Sequence, residues 1–337
     1  MMIGAWPFPY GLQEVLGGRG YAEFFHWRAS SSSTVFTRKA DCMNDPTTLT
    51  LSGALALALS VMTISVLVCY IRESRSLVET PETTLDSELV MPGTPLPGNG
   101  RVPTWFYRPM DLVGVGFVFL VFSGLIISSL GATGPAPKMT PGLLIVNIGF
   151  QFVLAGIIAV PMSLRVGLSV WLGLRWREWP RILLVAPVTV LSMWILFGGL
   201  QVSGYLDWME SLGVETVQDS VKLLQTAEDP WVLGLMAVAA VIAAPLCEEL
   251  VFRGYFYPVL KRMAGTWSAA FCSALVFAAA HGSLTALLPL FIFGLALVLV
   301  YEKTGSIWAP VAVHFCFNGA TVLAQLAART FQLEVPI

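Results

Sequence analysis

VIAAPLCEELVFRGYFY, Val241–Tyr257, is the stretch on which the reading of the whole chain turns. It lies in an apolar run that begins near Trp231, yet it carries two adjacent carboxylates, Glu248 and Glu249, and then Arg253. Ionisable side chains inside a membrane-spanning helix cost several kcal/mol, so they face partners or a wet cavity and mark function. Glu249 and Arg253 stand four residues apart and share one helix face, which predicts an ion pair. Glu248 is then the carboxylate available for chemistry, of the kind that a desolvated site turns into a general base. Pro245 removes a backbone hydrogen bond just before the pair and loosens the helix there.

The surrounding composition supplies the setting. The chain has 337 residues, 56% of them hydrophobic and only 12% charged. A soluble domain carries about 25% charge. With a mean hydropathy of +0.74, this is an all-α polytopic membrane protein. A net charge of −2 without a basic patch excludes a nucleic-acid partner. The cysteines, Cys42, Cys69, Cys247, Cys272 and Cys316, form no CxxC pair and read as small buried residues.

Eight apolar segments approach the length needed to cross a core of about 30 Å: 51–71, 110–131, 142–164, 181–203, 231–254, 267–282, 285–302 and 307–328. The sixth and seventh are short and closely joined, so a re-entrant pair competes with two full spans. Three units follow: a polar leader, 1–50, expected to be poorly ordered; N-terminal helices, 51–230; and a core, 231–329, around the Glu pair. Met43 is an alternative start. The connection Glu73–Arg108, rich in Pro, Gly and acids, is expected to be disordered. In the acidic stretch Asp207–Asp229, Val214, Val217, Val221 and Leu224 recur at helical spacing, as in an amphipathic surface helix. Lys and Arg concentrate in the first, third and fifth connections (Arg101 and Arg108; Arg165, Arg175, Arg177 and Arg181; Lys261 and Arg262), which places those connections inside. The residues between Glu248 and that face, Tyr255 to Arg262, then predict a water path from the cytoplasmic side.

Two of the three histidines, His281 and His314, fall in the last apolar segments. Each could merely bridge two helices; with a Glu pair nearby, a shared site is the sharper expectation. Phe277 lies one turn before His281, and Asn318 one turn after His314. Glu248 is 17 residues before Gly265 and His281 is 16 after it. An antiparallel hairpin turning at Gly265 sets both about 25 Å from the turn, at matching depth.

Glu248-Glu249-x-x-x-Arg253, Phe277-x-x-x-His281 and His314-x-x-x-Asn318 resemble the three motifs of the CPBP family of intramembrane proteases. That family includes type 2 CaaX prenyl endopeptidases and bacterial Abi-type proteins. The resemblance implies about eight helices around an intramembrane active-site cavity, in the cell membrane if the source is bacterial. It implies that Glu248 activates water with help from His281, that His314 and Asn318 stabilise the oxyanion, and that Glu249, Arg253 and Phe277 support the site. Implied partners are membrane lipid and a membrane-associated or lipidated protein or peptide. No cofactor is implied by the glutamic mechanism. A zinc alternative would use Glu248, His281 and His314 as a His₂Glu set, although HExxH is absent. Two other functions remain open: an inactive scaffold or bacteriocin self-immunity protein, and a proton-coupled transporter. The transporter predicts a second related half, and the Glu-Glu-x-x-x-Arg pattern occurs once.

Overall fold

A computed structural model describes residues 46–78, 101–130, 139–176, 178–214, 216 and 219–331. The leader through residue 45, the part of the first connection spanning 79–100, and Val217 lie outside the described residues, so the expectations placed on them have no structural counterpart. The described residues are helical and contain no strand. In lipid this follows from the need to satisfy every backbone polar group within its own segment.

Eight helices carry the architecture: α1 (Pro46–Val78), α2 (Asp111–Leu130), α3 (Pro141–Val166), α4 (Ile182–Val202), α5 (Pro230–Ala264), α6 (Thr266–Ala279), α7 (Leu284–Thr304) and α8 (Trp308–Phe331). Seven are long and apolar enough to span a bilayer, and α6 is the exception. The chain is an integral, multi-pass membrane protein. Helix starts follow side-chain chemistry. Thr140 accepts from Leu143 N ahead of α3, Asp229 from Trp231 N ahead of α5, and Ser283 from Ala286 N ahead of α7. The expected turns at Gly265 and near Ser306 form, with Gly265 and Gly305 at φ of 82° and 69°.

Four boundaries differ from the sequence reading. α1 runs on to Val78, and α5 extends over 35 residues rather than stopping near 254. The tail of the first connection is packed, because Val102, Phe106 and Tyr107 are buried apolar anchors. α6 ends at Ala279, not 282, with Gly282 at φ 64° directing the chain into α7. At 14 residues, α6 covers only about 21 Å. Among the cysteines, Cys247 and Cys272 are buried as expected, but Cys69 is half-buried and Cys316 exposed.

α5 to α8 form the centre. α1 packs along α6, where Ser65 Oγ donates to Ser268 Oγ at 2.9 Å and Cys272 Sγ meets Ala58 O at 3.4 Å. α2 packs on α5 through Phe122 and Phe252, whose ring centroids are 5.1 Å apart. α4 reaches α8 through Phe197 and Phe317, 5.8 Å apart. The first, third, fifth and seventh connections meet at one end of the bundle. Arg101 N donates to Glu302 O (3.1 Å), Ile307 N to Leu172 O (2.9 Å) and Lys261 Nζ to Val102 O (3.3 Å).

That end is closed. Lys261 Nζ and Tyr257 Oη both donate to Glu302 Oε1, at 2.6 and 2.7 Å. Tyr255, Tyr257 and Lys261 are all buried. The water path expected along these residues is therefore filled by their own packing. The opposite end carries the helices Tyr205–Ser211 and Asp219–Thr226. Val221 and Leu224 of the latter are buried, as an amphipathic surface helix requires.

Candidate active site

α5 is not a regular helix at the Glu pair. Pi-helical stretches, Ala239–Ala243 and Leu250–Phe256, flank a short α-helical segment, Ala244–Glu249. Pro245 and Pro258 each sit at the start of the α-helical segment that follows a π stretch. A proline lacks an N–H and clashes with the carbonyl four residues back, and widening the preceding turn accommodates both problems. Widening also releases carbonyls from the helix ladder, and side chains collect them.

Asn318 Nδ2 donates to Ala240 O at 2.8 Å in the first π stretch. In the second, Gly254 O accepts from Tyr107 Oη (2.7 Å) and from Trp171 Nε1 (2.8 Å). Trp171 Nε1 also lies 2.9 Å from Tyr107 Oη. The motif helix is therefore pinned on one side by α8 and on the other by residues far away in sequence.

Glu249 is the hub. Its Oε1 accepts from Arg253 Nη1 at 3.1 Å, the ion pair that the spacing predicts, and lies 2.7 Å from His314 Nδ1. Glu249, Arg253 and His314 are all fully buried. Because a carboxylate only accepts, His314 Nδ1 carries the proton in this contact. Arg253 Nη2 donates to Gly294 O at 3.1 Å. Gly294 packs closely there: a Cβ would stand 3.0 Å from Ala274 Cβ, so a side chain would need α6 and α7 to give by a few tenths of an ångström. The guanidinium also sits 4.3 Å over the Phe277 ring, a cation–π contact.

Phe277 links the remaining members. Its ring centroid is 5.0 Å from that of His281 and 6.0 Å from that of His314. His281 lies just past the end of α6, and its Nδ1 is 2.7 Å from Phe277 O. The imidazole thus caps a C-terminal carbonyl of the helix that carries its own motif. With Nδ1–H donating, Nε2 holds the lone pair; it is buried and has no protein partner. Glu248 is buried at 2% exposure, one position before the hub and turned about 100° from Glu249 on the helix.

All seven motif residues are thus buried in one region of α5, α6 and α8. Tyr107, Phe293 and Gly294 join them without having been singled out from the sequence, and the buried Trp171 joins them too. Phe293 meets His314 edge to face, with ring centroids 5.5 Å apart. Only the aromatic run Trp105-Phe106-Tyr107 could have hinted at this anchor, and only by composition.

The zinc alternative can be weighed on its donors. Among the described residues no three or more His, Cys, Asp or Glu side chains gather as a metal-binding group. His281 Nδ1 and His314 Nδ1 are directed at protein acceptors. These contacts do not weigh against zinc, because a metal-bound histidine commonly gives its other ring N–H to such an acceptor.

A cavity of about 410 Å³ lies beside the motif residues, not among them. It is bounded by α4, α7, α8 and the helices Tyr205–Ser211 and Asp219–Thr226. Phe317, next to Asn318, forms part of its wall. The Phe317 ring packs 4.4 Å from Phe293, which in turn faces His314. Thr285, four residues after His281, lines it as well.

Residues 230–320 match the family described as type II CAAX prenyl endopeptidase Rce1-like. A curated relative from Bacillus subtilis (strain 168), named "Putative membrane peptidase YdiL", is 29% identical over 100 residues. That match covers 30% of this chain and 41% of the relative, so the chain spans well under half of the relative's length. No solved structure matches. The matched segment begins with α5 and ends just past Asn318, and it holds all seven motif residues. The likeness to CPBP-type membrane proteases thus falls on the same residues that build the buried network.

Proposed function

We propose, on the premise that residues 230–320 are an Rce1-like segment of the CPBP type, that this chain is an intramembrane endopeptidase in which a glutamate activates water. The observation that carries the reading is the fully buried Glu249–Arg253–His314 network set beside a second buried carboxylate, Glu248. One carboxylate organises the site and the other is available to take a proton.

In this mechanism Glu248 accepts a proton as water oxygen bonds to the scissile carbonyl carbon. The carbonyl π electrons move to oxygen, giving a tetrahedral oxyanion. His281 Nε2 accepts from the same water and orients it. His314, held through Nδ1 by Glu249, presents its Nε2 edge. Asn318 keeps a second amide N–H beyond the one donated to Ala240 O. Asn318 and His314 both serve as oxyanion donors, His314 as the imidazolium, because its Nδ1–H is already given to Glu249. Collapse breaks the C–N bond, and Glu248 returns its proton to the leaving amine. The products are a carboxylic acid, which keeps the second water proton, and an amine.

Substrates on this reading are membrane-associated or lipidated proteins or peptides that reach the site within the bilayer. We propose that no metal takes part. The test is cleavage of a fluorogenic peptide library by purified protein, with its zinc content measured. Cleavage is expected to persist with less than one equivalent of zinc and after chelator treatment and dialysis. Activity that leaves with stoichiometric zinc and returns with it would overturn the glutamic mechanism. Absence of cleavage together with proton flux in liposomes would favour a transporter.

A further inference from the structure

The cavity beside the motif residues has a wall chemistry that bears on which peptides the site can take. Its volume, about 410 Å³, falls in the range of small-ligand sites, about 300–1,000 Å³. Its polar lining consists of Gln201, Tyr205, Thr216, Thr285, Thr321 and Gln325, and the remainder is apolar. Among the described residues none of the lining side chains is Lys, Arg, His, Asp or Glu. Tyr205 does not supply a charge either: burial pushes its phenol above the usual range, and its Oη donates to Thr285 O at 3.1 Å.

The nearest cation on α8 is committed elsewhere. Arg329 Nη1 donates to Leu224 O (3.2 Å) and Ala227 O (2.6 Å), carbonyls at the end of the helix Asp219–Thr226. Gln225 Nε2 donates to Gln325 Oε1 at 2.9 Å beside it, fastening the same helix to α8. A carboxylate brought into this cavity would lose its hydration and meet no positive side chain in the described wall, which costs several kcal/mol. Amides, in contrast, meet hydroxyl and carboxamide groups that can donate and accept.

The cavity also has a way out. Trp194, Gly198 and Gln201 line it from one face of α4 and are themselves exposed at the molecular surface. A chain can therefore enter and leave along α4, whereas a site that reads a chain end is closed around that end.

We propose that this cavity takes an uncharged peptide segment that continues past the scissile bond, in preference to one ending in a free α-carboxylate a few residues beyond it. The inference rests on the peptidase reading above and deepens it by naming the substrate class. The selection acts through the uncharged wall, so one added cation should reverse it.

The experiment uses full-length protein in detergent and a fluorogenic library of uncharged residues in three forms. One ends three residues past the variable centre as a free acid, one ends there as an amide, and one continues for six further Ala, Ser and Leu residues. The extended and amidated forms are expected to exceed the free acid in kcat/KM by about tenfold or more. In Gln201→Arg the gap between amide and free acid should close. Free acid cleaved as well as or better than the amide by the wild type would overturn the substrate inference and leave the peptidase reading standing. Equal loss on all forms in Gln201→Arg, with the wild-type preference retained, would also overturn it. Cleavage of none of the three forms by the wild type would bring down the peptidase reading and this inference together.

Discussion

The N-terminal spans α1 and α3 and the C-terminal spans α5 and α7 are similarly apolar but differently used. Mean hydropathy is 2.4 for α1 and α3, against 2.1 for α5 and 2.5 for α7. Burial separates them: 11% and 28% of the most apolar stretches of α1 and α3 are buried, against 44% and 56% for α5 and α7. Oil-like character therefore locates spans without telling shell from core. The core is marked by what its apolar residues surround, namely Glu248, Glu249, Arg253, His314 and Asn318, each at 2% exposure or less. The shell has its own ion pair, Asp111 with Arg165 at 2.8 Å, but there the arginine side chain is 31% exposed.

The difference between the two pairs can be measured by thermal unfolding of purified variants in detergent. Arg253→Met leaves Glu249 buried without its cation, and the expected loss is about 3–5 kcal/mol. Arg165→Met should cost less, about 2 kcal/mol, because Arg165 is part-exposed and Asp111 still accepts from Arg108 N at 2.7 Å. Equal losses at the two positions would erase the distinction between core and shell. The smallest effect is expected from Tyr107→Phe, about 1 kcal/mol, since Trp171 Nε1 continues to hold Gly254 O. A loss as large as that of Arg253→Met would make the Gly254 anchor, and not the ion pair, the main support of the motif helix.

Much of this arrangement was legible because charge in an apolar run has few explanations. The Glu249–Arg253 spacing, the turns at Gly265 and near Ser306, and the buried positions of His314 and Asn318 all follow from local rules. Three features do not. The π stretches arise where Pro245 and Pro258 must be accommodated, and a proline alone does not say whether a helix kinks, breaks or widens. His281 falls just past the end of α6 and not on it, and its ring bonds Phe277 O after the helix has ended. The closed end depends on Tyr257, Lys261 and Glu302 meeting across α5 and α7. The sequence predicts a water path along Tyr255 to Arg262, but long-range packing decides whether such a stretch is open.

The central claim is that one buried carboxylate organises the site and its neighbour performs the chemistry. Glu248→Gln tests it most directly, since it removes the proton acceptor while keeping the size and the amide's ability to accept a hydrogen bond. Cleavage of the fluorogenic library is measured alongside the unfolding midpoint. The account predicts a fall in rate of about 100-fold or more with the midpoint unchanged. Cleavage by Glu248→Gln at the wild-type rate would contradict it.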